Sequence, residues 1–179
     1  MSMATVVTVE DELARAIRAE LIARPDAMIL ELARAHRVPE LAVLQLIGAP
    51  RVVMLDAARW ETLLRALPAL GDVRVLASNA GVTMESRGTF GGFSRTGPYF
   101  NVQTDSLDLH LRWDAISGIA AVEKPSHQTG HPTASIQLFD SRGAAIIKIF
   151  VLFGERSEES GARRTAFAAL RSDFTISAT

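Results

Sequence analysis

The sequence predicts an α+β fold, and three observations carry that reading. Apolar residues recur at helical spacing up to about residue 68. From Val73 onward the preferred spacing drops to two, with turn residues recurring between short runs. The segment "SGARRTAFAALRSDF" then returns to a helical pattern, with Phe167 and Leu170 as its anchors. Helices first, a run of antiparallel strands, then one closing helix is the order of an α+β domain.

The chain has 179 residues, 48% of them apolar. That suits a single domain over residues 1–179, with a helical part (1–70) and a part made of antiparallel sheet plus C-terminal helix (71–179).

Each element follows from local signals. "DELARAIRAELIAR" places Leu13, Ile17 and Leu21 four apart, on one helical face, and Pro25 stops it. "DAMILELARAH" and "PELAVLQLI" predict a second and a third helix, with Pro39 at the start of the third and Gly48 at its end. "RVVML" predicts a short strand. Asp56 caps a fourth helix, "AARWETLLRAL", which Pro68 ends. "VRVLAS" and "VTMESR" predict a hairpin joined through Asn79, Ala80 and Gly81. In "GTFGGFS", Gly88, Gly91 and Gly92 permit a turn or a close backbone approach. "YFNVQ", "LDLHLRW" and "ISGIAAVE" predict strands, residues 124–133 a polar loop, and "ASIQLFD" with "AAIIKIFVLF" a last hairpin.

Composition excludes several function classes. Net charge is −1, too weak a field to gather nucleic acid or an anionic membrane. There is no cysteine, which removes disulfides, thiolate metal sites and cysteine nucleophiles. The two helices over residues 26–47 have the outline of a helix-turn-helix, but "PELAVLQLI" offers only Gln45 to a base edge. No apolar run is long enough for a membrane span, and "MSMATVVTVEDEL" does not read as a secretory signal, so a cytoplasmic protein is expected. His127 and His131 sit in the loop string "HQTGH" rather than on a helix, which is not the zincin arrangement. His36 sits at a helix end, where the dipole suits it.

One histidine stands apart. In "DLHLRW" strand alternation puts Leu107, Leu109, Leu111 and Trp113 on one face and Asp108, His110 and Arg112 on the other. The leucines and the tryptophan claim the core. His110 therefore faces water, a partner or a pocket. A histidine with an arginine two residues away suits a ligand that has a metal centre and carboxylate arms.

From Gly71 to Val151 the chain resembles the intracellular heme-utilisation carrier family of the ChuX/HutX type. "GDVRVLASNAGVTMESRG" is similar to the family's hairpin and "GPYFNV" to its "GYFN" signature. "DLHLRW" is similar to its "GHIKA" strand, "AAVEKP" to its "ALIERP", and "ASIQLFDSRGAAIIKIFV" to its "ASIxFFNxxGxAMxKIFV". The helical front, "PDAMILELARAHRVPELAVLQLIG", resembles the family's opening.

The resemblance implies helices packed on a large antiparallel sheet, a homodimer, and a non-enzymatic cytoplasmic carrier that binds heme and exchanges it with a donor or acceptor protein. It matches His110 to a heme-associated histidine and makes it the expected iron ligand, with Arg112 meeting a propionate. The family's second histidine falls at Ser78, and the histidine of its "HGYFN" falls where this chain has Thr96 and Gly97. A serine hydroxyl is a poor iron ligand beside histidine, methionine or tyrosinate. Tyr99 and Met84 are therefore reserve ligands, with His127 and His131 behind them. The same departure leaves two other readings open: a diverged regulatory or protein-interaction module with weak or no heme binding, and, using an open iron face, a heme-degrading enzyme.

Overall fold

The structure, a computed structural model, describes residues 6–153 and 157–176. Three helices open it: α1 (Asp11–Ala23), α2 (Ile29–His36) and α3 (Glu40–Ile47). α1 buries Ala14, Ile17 and Leu21, the stripe its spacing predicts with Ala14 in addition and Leu13 at its margin. Arg37 takes a left-handed φ of 55° after α2, which turns the Val38 N–H onto the Ala33 carbonyl at 3.0 Å and closes the helix. His36 Nε2 lies 2.8 Å from Glu20 Oε2 and ties α2 to α1. α3 buries Glu40, Leu41, Ala42, Val43 and Leu44. A helix enclosed in that way has no face left to lay in a DNA groove.

Strand β1 (Val52–Leu55) follows, and Asp56 then caps the next turn by accepting from the Ala58 N–H at 3.0 Å. The expected single fourth helix is instead three pieces: a 3₁₀ turn at Ala57–Arg59, α4 (Trp60–Ala66), and a second 3₁₀ turn at Leu67–Leu70. Pro68 opens that last turn rather than ending the helix, because its missing N–H falls where no partner is required.

Strands β2 (Asp72–Ser78), β3 (Thr83–Thr89), β4 (Phe93–Thr96), β5 (Tyr99–Gln103), β6 (Asp108–Arg112), β7 (Gly118–Pro125), β8 (Pro132–Phe139) and β9 (Ala145–Val151) come next, and α5 (Ser157–Phe174) closes the chain. The strands do not make one sheet. Six form an antiparallel sheet in the order β1-β7-β8-β9-β2-β3, and β4-β5-β6 form a second, small sheet. Glycines separate the two. A Cβ on Gly88 would meet Ser106 Oγ at 1.9 Å, and one on Gly92, at φ +64°, would meet the Gln103 carbonyl at 1.8 Å.

Alternation along the strands gives the large sheet two apolar faces. Val52, Ala120, Val122 and Phe139 lie under α1–α3. Leu55, Val73, Ile119 and Ile136 face the main core with α4, α5 and the inner side of the small sheet. That inner side supplies Phe100, Val102 and Leu111. Leu107 is buried as its alternation predicts, and Leu109 is partly buried against the same core. Trp113, expected at the end of the strand, sits in a 3₁₀ turn at Trp113–Ala115 and is partly buried, with its ring stacked on Trp60 at 5.8 Å and 7°.

Leu111 is 4% exposed. Leu111→Ala should cost about 2–5 kcal/mol through lost burial and the cavity left behind. Urea unfolding reads this directly, and a loss under about 0.5 kcal/mol would mean that the small sheet does not pack on the core.

An ion pair lies on the helix-covered face of the large sheet. Lys148, in the middle of β9, donates to Glu40 of α3 with both side chains largely removed from water. Among the described residues no helix is long and apolar enough to cross a membrane.

Candidate functional site

Pairing of the small sheet decides what surrounds His110. In the β5–β6 ladder Asn101 lies opposite His110 and Tyr99 opposite Arg112. In the β4–β5 ladder Ser94 lies opposite Asn101 and Thr96 opposite Tyr99. Directly opposed residues share a face, so these side chains gather on the side away from the core. Ser94, Thr96, Tyr99, Asn101, Gln103 and His110 line a shallow depression of about 520 Å³.

His110 is one of its walls, with its side chain 56% exposed. Its Nδ1 is 2.8 Å from Asn101 Oδ1. Asn101 is 5% exposed, and its Nδ2 donates to Ser94 Oγ at 3.0 Å and to Thr96 Oγ1 at 3.3 Å. The Tyr99 ring meets the imidazole edge-on, with centroids 6.4 Å apart. Asp108 Oδ1 is 3.8 Å from His110 Nε2, too far for a hydrogen bond. The site therefore presents a nitrogen to solvent, one aromatic ring beside it, and hydroxyl and amide groups around it. That is a donor set an iron porphyrin can use.

The other predicted site residues are placed differently. Arg112 shares the His110 face, but its guanidinium is committed to Asp114, with Nε to Oδ1 at 3.0 Å and Nη2 to Oδ2 at 2.5 Å. Hydrogen bonding to Arg112 holds the Asp114 carboxyl below its ordinary pKa, and the same bond raises that of Arg112. Asp114 takes two of the five guanidinium N–H donors, and the side chain is otherwise exposed. Ser78 and Met84 lie on the β2–β3 hairpin of the other sheet, on its opposite faces. Ser78 Oγ is 2.9 Å from Thr83 Oγ1, and Met84, opposite Ala77, is 69% exposed. His127 and His131 are exposed in the turn between β7 and β8. Among the described residues no group of three or more histidines or carboxylates is arranged to hold a bare metal ion.

Sequence reasoning missed Asn101, Ser94 and Thr96. The signal available was the pairing of "YFNVQ" with "DLHLRW": a four-residue turn at 104–107 sets Asn101 against His110. A one-residue change in that turn would have set a different partner there.

A second cavity, of about 660 Å³, is bordered by Asp72, Arg87, Asp105, Glu159 and Arg163. It mixes carboxylates with guanidinium groups and holds no histidine. Arg163 already serves Glu159 and the Leu152 carbonyl.

The family model described as haem utilisation ChuX/HutX matches residues 53–170. The intracellular heme transport protein HutX of Vibrio cholerae is 24% identical over 156 residues, covering 86% of this chain and 78% of that protein. A solved structure of the heme-binding protein ChuX superposes with a TM-score of 0.71 at 25% identity, covering 86% of this chain and 98% of that one. ChuS, an Escherichia coli heme oxygenase, shares the fold with a TM-score of 0.69 at 19% identity, covering 92% of this chain and 50% of that one.

Proposed function

Since this chain belongs to the ChuX/HutX haem-utilisation family, we propose that it is a non-enzymatic cytoplasmic heme carrier that holds iron through His110 Nε2. One observation carries the reading. On the exposed face of the small sheet His110 is tethered at Nδ1 and open at Nε2. Strand alternation keeps it off the core, so the imidazole is available without disturbing the fold.

Heme is cargo in this reading. Porphyrin binding draws on apolar burial as well as on the iron bond, at about 25 cal/mol per Å² removed from water. Within one chain Tyr99 is the large ring in the depression. Tyr99 also carries the nearest oxygen donor of the type iron accepts, a phenolate. A second surface would complete the burial, and we assign that role to a second copy of the chain. Strand β3 supports a dimer: it is an edge strand with Thr83–Arg87 exposed, flanked by Val82, 51% exposed. Unpaired strand edges favour pairing.

Titrating hemin into the protein should give a saturable shift of the Soret band. A flat titration overturns the carrier and leaves the diverged interaction module. Light scattering at micromolar concentration should give twice the mass of one chain, and the mass of a single chain would remove the dimer. Supplying the hemin complex with a reductant and oxygen should release no biliverdin; its appearance would make the protein an enzyme.

A further inference from the structure

We propose that Asn101 is the positioning residue for His110: it accepts from the Nδ1–H, and so selects the tautomer whose Nε2 lone pair is bare and faces outward. What that lone pair receives rests on the heme reading above. The selection itself does not.

The argument is a count of hydrogens. A neutral imidazole carries one N–H, and which nitrogen holds it is set by the partner of the other. Asn101 Oδ1, 2.8 Å from Nδ1, can only accept, so the hydrogen must be on Nδ1. The amide could in principle be turned by 180°, which would present an N–H to Nδ1 and force the hydrogen onto Nε2. The strand neighbours argue against that. As placed, the amide nitrogen has two hydrogens and two acceptors, Ser94 Oγ and Thr96 Oγ1, while Oδ1 has the imidazole. Every polar atom of the side chain is satisfied. Turned over, one N–H would serve His110 and the other would point where Oδ1 now has no second partner. Asn101 is 5% exposed, and an unmade hydrogen bond at a buried donor is strongly disfavoured. The two hydroxyls of β4 thus hold the amide, and the amide holds the ring.

The charged groups on this face do not reverse the choice. Asp108 is 3.8 Å from Nε2, outside hydrogen-bond reach, and Arg112 is paired with Asp114. Strand β4 contributes only Ser94 and Thr96 to this face, since Arg95 pairs opposite Phe100 on the core side. An outer partner that fixes tautomer and ring direction is the usual support of a metal-binding histidine.

The test needs no heme. In protein labelled with ¹⁵N at its four histidines, long-range ¹H–¹⁵N correlation reads each tautomer. The His110 signals are identified by their loss in His110→Ala. Above the imidazole titration range, wild-type His110 should show a protonated Nδ1 and a bare Nε2. A protonated Nε2 there overturns the proposal. Asn101→Leu, checked for folding by thermal unfolding, should lose the preference and bind hemin about tenfold more weakly. Should that variant fail to fold, the wild-type tautomer alone still decides. Asn101→Asp keeps an acceptor and should keep the Nδ1–H form. A folded Asn101→Asp protein whose His110 carries its hydrogen on Nε2 would place the residue-101 side chain away from the ring and overturn the proposal. A bare Nε2 with no hemin binding would end the heme reading and leave the positioning intact; hemin binding with a protonated Nε2 would do the reverse.

Discussion

His110→Ala is expected to weaken hemin binding about 100-fold and to move the Soret maximum. The magnitude follows from what is removed. Loss of a group that merely orients a metal ligand typically costs 10- to 100-fold in affinity, and loss of the ligand itself belongs at or beyond the upper end of that range. The variant should remain folded. The side chain is 56% exposed, and its bond to Asn101 Oδ1 can be replaced by water. Stability should therefore change by about 0.5 kcal/mol or less, the usual range for a surface substitution. Ligand loss and unfolding are thus separable in one experiment, with urea denaturation beside the hemin titration. Unchanged affinity and an unchanged spectrum would overturn the assignment. Tyr99→Phe is the companion measurement. It leaves the ring edge against the imidazole and removes the phenolic oxygen. A spectral change in Tyr99→Phe alone would give the iron to Tyr99.

The largest expected effect on stability lies far from this site. Glu40→Ala should cost about 3–5 kcal/mol, because it leaves the Lys148 ammonium beneath α3 without its counter-charge. Both partners are removed from water, at 9% and 11% side-chain exposure, and their bond joins the helical layer to the middle strand β9. A buried pair need not add net stability, but half of one is costly. The double replacement Glu40→Leu with Lys148→Met should therefore recover most of the loss, since two apolar side chains of similar length fill the same space without charge. The shift in urea midpoint at constant slope measures both variants. A cost below about 1 kcal/mol for Glu40→Ala would show that Lys148 finds another acceptor. The cross-strand Gln137, whose Oε1 is buried without a partner among the described residues, is the candidate.

What the sequence determined by itself came from local rules. Helical spacing placed α1, α2, α3 and α5, and the change of period near Val73 marked the start of the strands. Alternation in "DLHLRW" put Leu111 in the core and His110 on the outer face, because successive side chains of a strand point to opposite sides whatever the strand pairs with. The order of motifs was enough to identify the family. Everything that depended on which groups meet in space was decided only by the tertiary structure. The strands divide into two sheets, with Gly88 of β3 letting the β5–β6 turn at Ser106 come close and Gly92 letting the chain pass against Gln103, which alternation cannot reveal. Arg112, which alternation put on the His110 face, also pairs with Asp114 because a turn after β6 brings that carboxylate within reach. Ser78, at the position of the family's second histidine, and Met84, a reserve ligand by atom type, belong to a hairpin of the other sheet and to opposite faces of it. Asn101, nine residues before His110, is placed against it by the register of β5 on β6. Register arises from turn length and core packing together, so a histidine could be assigned its face from six residues, but not its partner.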